Sequence, residues 1–188
     1  LVRAVVLNLT VDEIPNLTKL ASRLNGRIPA GGSGKGGINI NAQQLESVLR
    51  GGLSELETID VISYHAKGSV ESDGSFEIDE VSISERAKNR GLRALGTLGS
   101  GNHFLELQRV SEIADEETSK SWGVESDQVI AMIHSGSRGL GHQVCSDHIH
   151  ELEMRLKQRN GAWVDEEWGY ELPDRQLAAA PIHSKQGQ

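Results

Sequence analysis

Leu95-Gly96-Thr97-Leu98-Gly99-Ser100-Gly101-Asn102-His103-Phe104-Leu105-Glu106 is a glycine-rich loop that runs straight into an alternating apolar segment. Glycines 96, 99 and 101 relax the steric limits on the loop, and Phe104 to Val110 then alternates with the two-residue period of a strand that buries one face. If the strand already begins at Asn102, then Asn102, Phe104 and Glu106 point one way while His103, Leu105 and Leu107 point the other. One short segment can then serve two sites: an imidazole towards a metal, an amide and a carboxylate towards a nucleotide. The Glu106 carboxylate can accept from the N1–H and amino group of guanine, a donor pattern adenine does not offer; a carboxylate facing water is the other reading of the same residue.

A second loop of this kind lies downstream. Val129 to Ile133 reads as a short apolar strand, His134 stands at its end, and Ser135-Gly136-Ser137-Arg138-Gly139-Leu140-Gly141 leads to a helix expected to begin near Gly141. That helix would carry Val144, His148, Leu152 and Leu156 on one stripe. A strand-to-helix loop presents free backbone N–H groups at the positive end of the helix dipole, and Arg138 adds a planar donor suited to phosphate. A tight turn with a solvated Arg138 fits the same residues.

His134 and His103 stand in matching positions, each where a glycine loop meets a strand. Neutral imidazole is a common ligand for manganese, zinc or iron, so the pair suits a shared metal; two hydrogen-bonded structural histidines fit equally well at this point. His142, His148 and His150 show no HExxH spacing and read as structural, Cys145 as a small core residue, and His65 and His183 as loop residues.

Further out, Val2 to Leu9 reads as a buried strand, and Thr10-Val11-Asp12-Glu13 has the spacing of a capping box that opens a helix to about Leu24. Gly31-Gly32-Ser33-Gly34-Lys35-Gly36-Gly37 fails the P-loop pattern, because Pro29 stands where its first glycine is required and Gly36 where Ser or Thr is required. Neither other glycine loop has the order of a dinucleotide fingerprint. A helix is expected near Asn41 to Arg50, loops with a short strand from Gly51 to Asp79, and a helix capped by Ser82-Ile83-Ser84-Glu85 that stops at Gly91. Glu112 to Asp127 is helical in part, and the tail from Gly161 is irregular, with Ser184 to Gln188 closing no recognisable element. Strands and helices mix without strict alternation, which favours α+β with mixed sheets and flanking helices.

The chain has 188 residues, a formal charge of −8, one cysteine and only 4% aromatics. An intramolecular disulfide is excluded, and no run approaches the roughly 18 apolar residues a membrane span needs; with no signal-like start, a cytoplasmic location is expected. The acidic balance argues against broad nucleic-acid binding and leaves room only for a local basic patch. Arg86, Arg90 and Arg93, at i, i+4 and i+7 with Lys88 nearby, form that patch and can hold an RNA backbone; cations near a helix C-terminus also stabilise its dipole.

Leu95 to Glu106 resembles the nucleotide-and-metal motif of the RtcB family of RNA ligases, and Ile133 to Gly141 resembles its second signature. Weaker similarity runs through Ile28-Pro29 and its glycine loop, Val81 to Gly91, and Leu172 to Ala178. The resemblance implies a protein that joins RNA 3′-phosphate or 2′,3′-cyclic phosphate ends to 5′-hydroxyl ends with GTP and Mn²⁺, through a guanylylated histidine, in tRNA splicing or RNA repair. It implies His103 and His134 as manganese ligands, Asn102, His103, Phe104, Leu105 and Glu106 as a GTP-binding segment, and Arg138, Ser137 and Arg90 beside RNA phosphates. Archease is an accessory partner of many members. The family's further Asp, Cys, Lys and His residues have no match here, and the resemblance implies that the guanylylated histidine lies beyond Gln188. The expectation is therefore that residues 1–188 are the central part of a single RtcB-type catalytic domain, with an RtcB-like fold left incomplete, and are inactive alone. The rival readings are a metal-dependent phosphoesterase and a non-catalytic RNA- or nucleotide-binding relative.

Overall fold

A three-stranded antiparallel sheet forms one layer of the computed structural model, which describes residues 2–30, 37–59, 70–76 and 83–187. Its central strand β3 (Gln128–His134) lies between β1 (Val2–Thr10) and β2 (Phe104–Arg109). Val2 and Phe104 flank His134 from the two sides, and Ala4 and Glu106 flank Met132. Directly opposed residues share a face, so His134, Phe104, Met132 and Glu106 lie on the same side of the sheet. Leu105 and Leu107 alternate to the other side and line an apolar groove with Leu17, Leu24 and Ile28 of helix α1 (Leu17–Arg27) and its C-cap. β1 is not the buried strand its composition suggests: Val2, Val5 and Val6 are 53%, 42% and 37% exposed. It is an edge strand of this sheet, and β-branched composition does not separate an edge from a centre.

The Thr10 box forms, with the Thr10 N–H donating to Glu13 Oε2 at 2.7 Å, but it supports only a single 3-10 turn over Val11–Glu13. Pro15 has no N–H and disfavours helical geometry at Ile14, so the expected continuous helix breaks there. α1 restarts under Asn16, whose side chain accepts from the Lys19 N–H at 2.8 Å.

α2 (Ala42–Gly51) is capped reciprocally by Asn41 and Gln44, close to expectation. Gly52 then turns at φ +62° directly into α3 (Leu53–Thr58), where a loop was expected. A 3-10 turn over Glu71–Gly74 follows; residues 60–69 and 77–82, which include His65 and Ser82, and residues 31–36 of the first glycine loop lie outside the described residues. The cap of α4 (Glu85–Ala94) is Ser84, which accepts from the Ala87 N–H at 3.1 Å.

α4 does not stop at Gly91. The helix passes through it, because Gly91 is the point of close approach to α6 (Arg138–Arg155): a Cβ there would stand 3.2 Å from Leu140 Cδ1. Ala87 is fully buried one turn earlier, and Leu45 of α2 closes the same seam at 2% exposure. Small residues let two helix backbones approach, and here that outweighs a helix-propensity cost of about 1 kcal/mol for glycine. α6 begins three residues before the expected Gly141, and its expected stripe is realised in part: Leu156 is buried and Val144 and Leu152 are half-buried, but His148 is exposed. Cys145, His142 and His150 are also exposed, so none is a packed interior residue.

α5 (Glu116–Trp122), capped by Asp115, lies between β2 and β3 in sequence. The tail is not irregular throughout. β4 (Lys157–Arg159), β5 (Ala162–Asp165) and β6 (Tyr170–Leu172) form a second antiparallel sheet. Asn160-Gly161, both at positive φ, makes the first hairpin turn. Asp165, 1% exposed, holds the second by accepting from the Glu167 and Trp168 N–H groups. The last stretch, expected to close no element, is a series of turns: the Ser184 N–H donates to the Pro181 carbonyl at 2.8 Å, and the Gly187 N–H to the Ser184 carbonyl at 2.9 Å. Gln188 itself lies outside the described residues. Helices with antiparallel sheets make the chain α+β, as expected. No helix among the described residues is long and apolar enough to cross a membrane.

Candidate metal and nucleotide site

The end of β3 and the start of β2 lie side by side, and this register brings the two signature loops together. His134 is the last residue of β3, paired with Phe104, the first of β2; His103 immediately precedes that strand. The two imidazoles are 6.1 Å apart between ring centroids and inclined at 51°. Both are half-buried rather than sealed in the interior.

Gly99 fixes the His103 ring. It is buried, and a Cβ on it would lie 1.7 Å from His103 Nδ1 and 2.4 Å from Cγ, so the imidazole rests directly on the glycine backbone. On the other side, Ser135 Oγ stands 3.5 Å from His103 Nδ1. The His103 ring is thus held between one loop and the first residue of the other. The sequence marked Gly99 and Ser135 only as loop residues; the close spacing of Gly99 and His103 was visible, but not that the ring folds back over it.

Phe104 stacks on His134 with centroids 5.3 Å apart and planes at 25°. This changes the expected division of faces. His103 lies outside β2, so strict alternation does not govern it, and Phe104 lies on the imidazole side instead of opposite it. Glu106 follows on that same face, one row along; it is exposed and accepts from Gln108 Nε2 at 3.0 Å. Asn102 is exposed in the turn that Gly101 makes at φ +73°. Leu105 faces the apolar groove beneath, away from this cluster.

The remaining predicted residues gather at the start of α6. A cavity of about 200 Å³ separates Gly96 and Thr97 of the first loop from Gly136, Ser137 and Arg138 of the second. Ser137 packs over Gly141, where a Cβ would meet its Oγ at 1.9 Å, and Arg138 enters the helix at φ +53°. Arg90 of α4 lies across Gly139, whose added Cβ would stand 3.2 Å from both Arg90 Cβ and Nε. Arg90 and Arg138 therefore adjoin the same helix start. Of the basic stripe, Arg86, Arg90 and Arg93 are exposed. Lys88 is engaged: its ammonium bonds Glu46 at 2.6 Å and Glu85 at 2.8 Å, and these carboxylates raise its pKa.

The donor chemistry suits a metal in part. Two convergent imidazoles with solvent access can occupy two positions of a coordination shell. Among the described residues no group of three or more His, Cys, Asp or Glu side chains is assembled, so the pair is not a complete shell. His183, the histidine nearest Gln188, was read as a loop residue and lies in the turns that follow Pro181, outside every helix and strand.

A family model described as tRNA-splicing ligase RtcB matches residues 1–188. The chain is 44% identical over 189 residues to a tRNA-splicing ligase RtcB of Methanococcus maripaludis, a match covering all of this chain and 38% of that protein. It is 40% identical over 187 residues to the protein of the same name from Pyrobaculum aerophilum, covering 98% of this chain and 37% of the relative. With the one from Nanoarchaeum equitans it shares 39% identity over 190 residues, covering all of this chain and 37% of the relative. The chain thus spans under two fifths of the length of these curated relatives.

Proposed function

This chain belongs to the RtcB family, and from that premise we propose that the protein is an RNA ligase, GTP- and manganese-dependent, that joins RNA 3′-phosphate or 2′,3′-cyclic phosphate ends to 5′-hydroxyl ends. The observation that carries the reading is the convergence of His103 and His134 at one end of the sheet, beside Phe104 and Glu106. In the proposed reaction a histidine beyond Gln188 takes a guanylate from GTP and pyrophosphate departs. Water first opens a 2′,3′-cyclic end to a 3′-phosphate and a free 2′-hydroxyl; the guanylate then passes to the 3′-phosphate, and the 5′-hydroxyl displaces GMP as the new phosphodiester forms.

His103 and His134 would hold the manganese ion. A His103 tautomer protonated on Nδ1, the nitrogen that faces the Ser135 hydroxyl, would leave Nε2 for the metal. A manganese ion held by these residues would supply positive charge against the phosphate under attack. Asn102, Phe104 and Glu106 form the nucleotide side, with Glu106 accepting from the guanine edge. Leu105 lines the apolar groove beneath and supports the nucleotide-binding segment from that side. Ser137, Arg138 and Arg90, at the start of α6, bind RNA phosphate with guanidinium donors and the helix dipole. RNA ends are the substrates, and archease is an expected partner.

The test uses the protein at its natural length, an RNA ending in a 2′,3′-cyclic phosphate, a second RNA with a 5′-hydroxyl, GTP and Mn²⁺. Joined product with release of GMP is expected. Hydrolysis of the phosphate end without joining would favour the phosphoesterase reading instead.

A further inference from the structure

Arg90 is held by a chain of polar groups, running from buried Gln143 through half-buried Asp147 to exposed Ser84, that the proposed chemistry does not otherwise use. Its Nη1 donates to Gln143 Oε1 at 2.9 Å, across the α4–α6 seam. Gln143 is 5% exposed. Its Nε2 donates to Asp147 Oδ1 at 2.7 Å, and Asp147 Oδ2 accepts from Ser84 Oγ at 2.6 Å. Ser84 Oγ in turn accepts from the Ala87 N–H as the cap of α4. Each member dictates the orientation of the next. An ionised Asp147 accepts only, so the NH₂ end of Gln143 must face it and the carbonyl end must face Arg90. Hydrogen bonds from Ser84 first and Gln143 second hold the Asp147 carboxyl below the usual carboxylate range, which keeps that direction fixed.

The anchor of Arg90 is a neutral amide. A carboxylate anchor would neutralise the guanidinium; an amide fixes its plane and leaves the full positive charge for a ligand anion. Among the described residues no Asp or Glu forms an ion pair with Arg90. The stem is fixed as well, because Gly139 leaves no Cβ between Arg90 and the start of α6. Arg90 is exposed, and its Nε lies against Gly139 at the start of α6, the turn that Ser137 and Arg138 begin.

We propose that Gln143 is a positioning residue, oriented by Asp147 and Ser84, that holds Arg90 charged and aimed at an RNA phosphate next to the start of α6. The proposal deepens the reading of the protein as an RNA ligase and rests on it for the identity of the anion.

The experiment measures binding of a 3′-phosphorylated RNA oligonucleotide by fluorescence anisotropy, over a salt series, with the protein at its natural length. The variants are Gln143→Met, which keeps the volume and removes both hydrogen bonds, Arg90→Met, and the double variant. Each single change is expected to weaken binding about five- to tenfold and to flatten the salt dependence by roughly the 0.7 of one single-strand phosphate contact. The double variant is expected to be no weaker than Arg90→Met alone, the signature of two residues acting through one contact. A purely structural Gln143 would lower the melting temperature without changing the salt slope, and that outcome overturns the proposal, as do additive losses. Should Gln143→Met fail to fold, Asp147→Asn serves, since it frees the Gln143 amide to turn its NH₂ end towards Arg90; unchanged binding in that variant also overturns the proposal. Absence of binding by the unmodified protein removes the anion and the proposal with it. Binding with the predicted coupling but without ligation overturns the ligase reading while leaving the role of Gln143 intact.

Discussion

The imidazole of His103 lies on the backbone of Gly99, so closely that a single methyl group at Gly99 would stand 1.7 Å from Nδ1. The position of one ring of the candidate metal pair is therefore set by the absence of a side chain four residues earlier. Replacing Gly99 by Ala must move the ring, the loop, or both.

Gly99→Ala is expected to weaken Mn²⁺ binding about 10- to 100-fold, the range typical for loss of a group that orients a ligand. Isothermal titration with Mn²⁺ checks this, alongside a melting curve. Unchanged affinity would mean that His103 is not held as a ligand.

Gly26 makes the opposite case. It lies inside α1, and an added Cβ there has no heavy atom within 4 Å. Gly26→Ala is expected to stabilise the protein by about 0.5–1 kcal/mol, because alanine loses less backbone freedom on entering a helix. Chemical denaturation reads the difference directly.

Asp165 gives a pH prediction. Burial pushes its carboxyl up, but hydrogen bonds from the Trp168 N–H and the Arg155 guanidinium, together with the Arg155 charge and the Glu167 N–H, outweigh burial and hold it below the usual carboxylate range. A carboxyl with a lowered folded-state pKa contributes stability above its unfolded value of about 3.9 and loses it as pH falls towards the folded value. Stability is thus expected to drop below about pH 4. Asp165→Asn should flatten that drop and, by leaving Arg155 without its buried partner, lower stability at neutral pH. Denaturant midpoints at pH 7 and pH 3 for both proteins test the sign; equal slopes would contradict it.

Glu106 tests the nucleotide side. Its carboxylate is exposed on the same face as Phe104 and His134, with Gln108 bonded to one oxygen. Glu106→Gln is expected to reduce the preference for GTP over ATP by about tenfold, a value of order 1–2 kcal/mol for one charged hydrogen bond. Competition between the two nucleotides for self-guanylylation checks it.

Much of the site was legible because strand ends are legible. The segments read as strands, Phe104 to Val110 and Val129 to Ile133, announced themselves by apolar character and flanking glycine, which placed His103 and His134 at comparable ends before any pairing was known. What the pattern could not convey was register: the pairing of Phe104 with His134 decides that the rings meet, and it is a long-range fact. Local signals misled where tertiary packing overrode them. Gly91 looked like a helix stop and is a helix contact; the Thr10 box was real, but Pro15 cut short the helix it opened. The Asn160-Gly161 turn was a readable hairpin signal that the reading of the tail passed over. Gln143 had no sequence signature at all, since its role depends on α4 and α6 lying side by side.

The central claim is that His103 and His134 bind one Mn²⁺ together. Pulsed electron paramagnetic resonance of the Mn²⁺-loaded, natural-length protein detects nitrogen coupled to the metal, and selective ¹⁵N-histidine labelling assigns it to imidazole. Two or more coupled imidazole nitrogens are expected in the unmodified protein, with one fewer in each of His103→Ala and His134→Ala. Nitrogen coupling that survives unchanged in both variants, or that is absent from the start, would contradict the account.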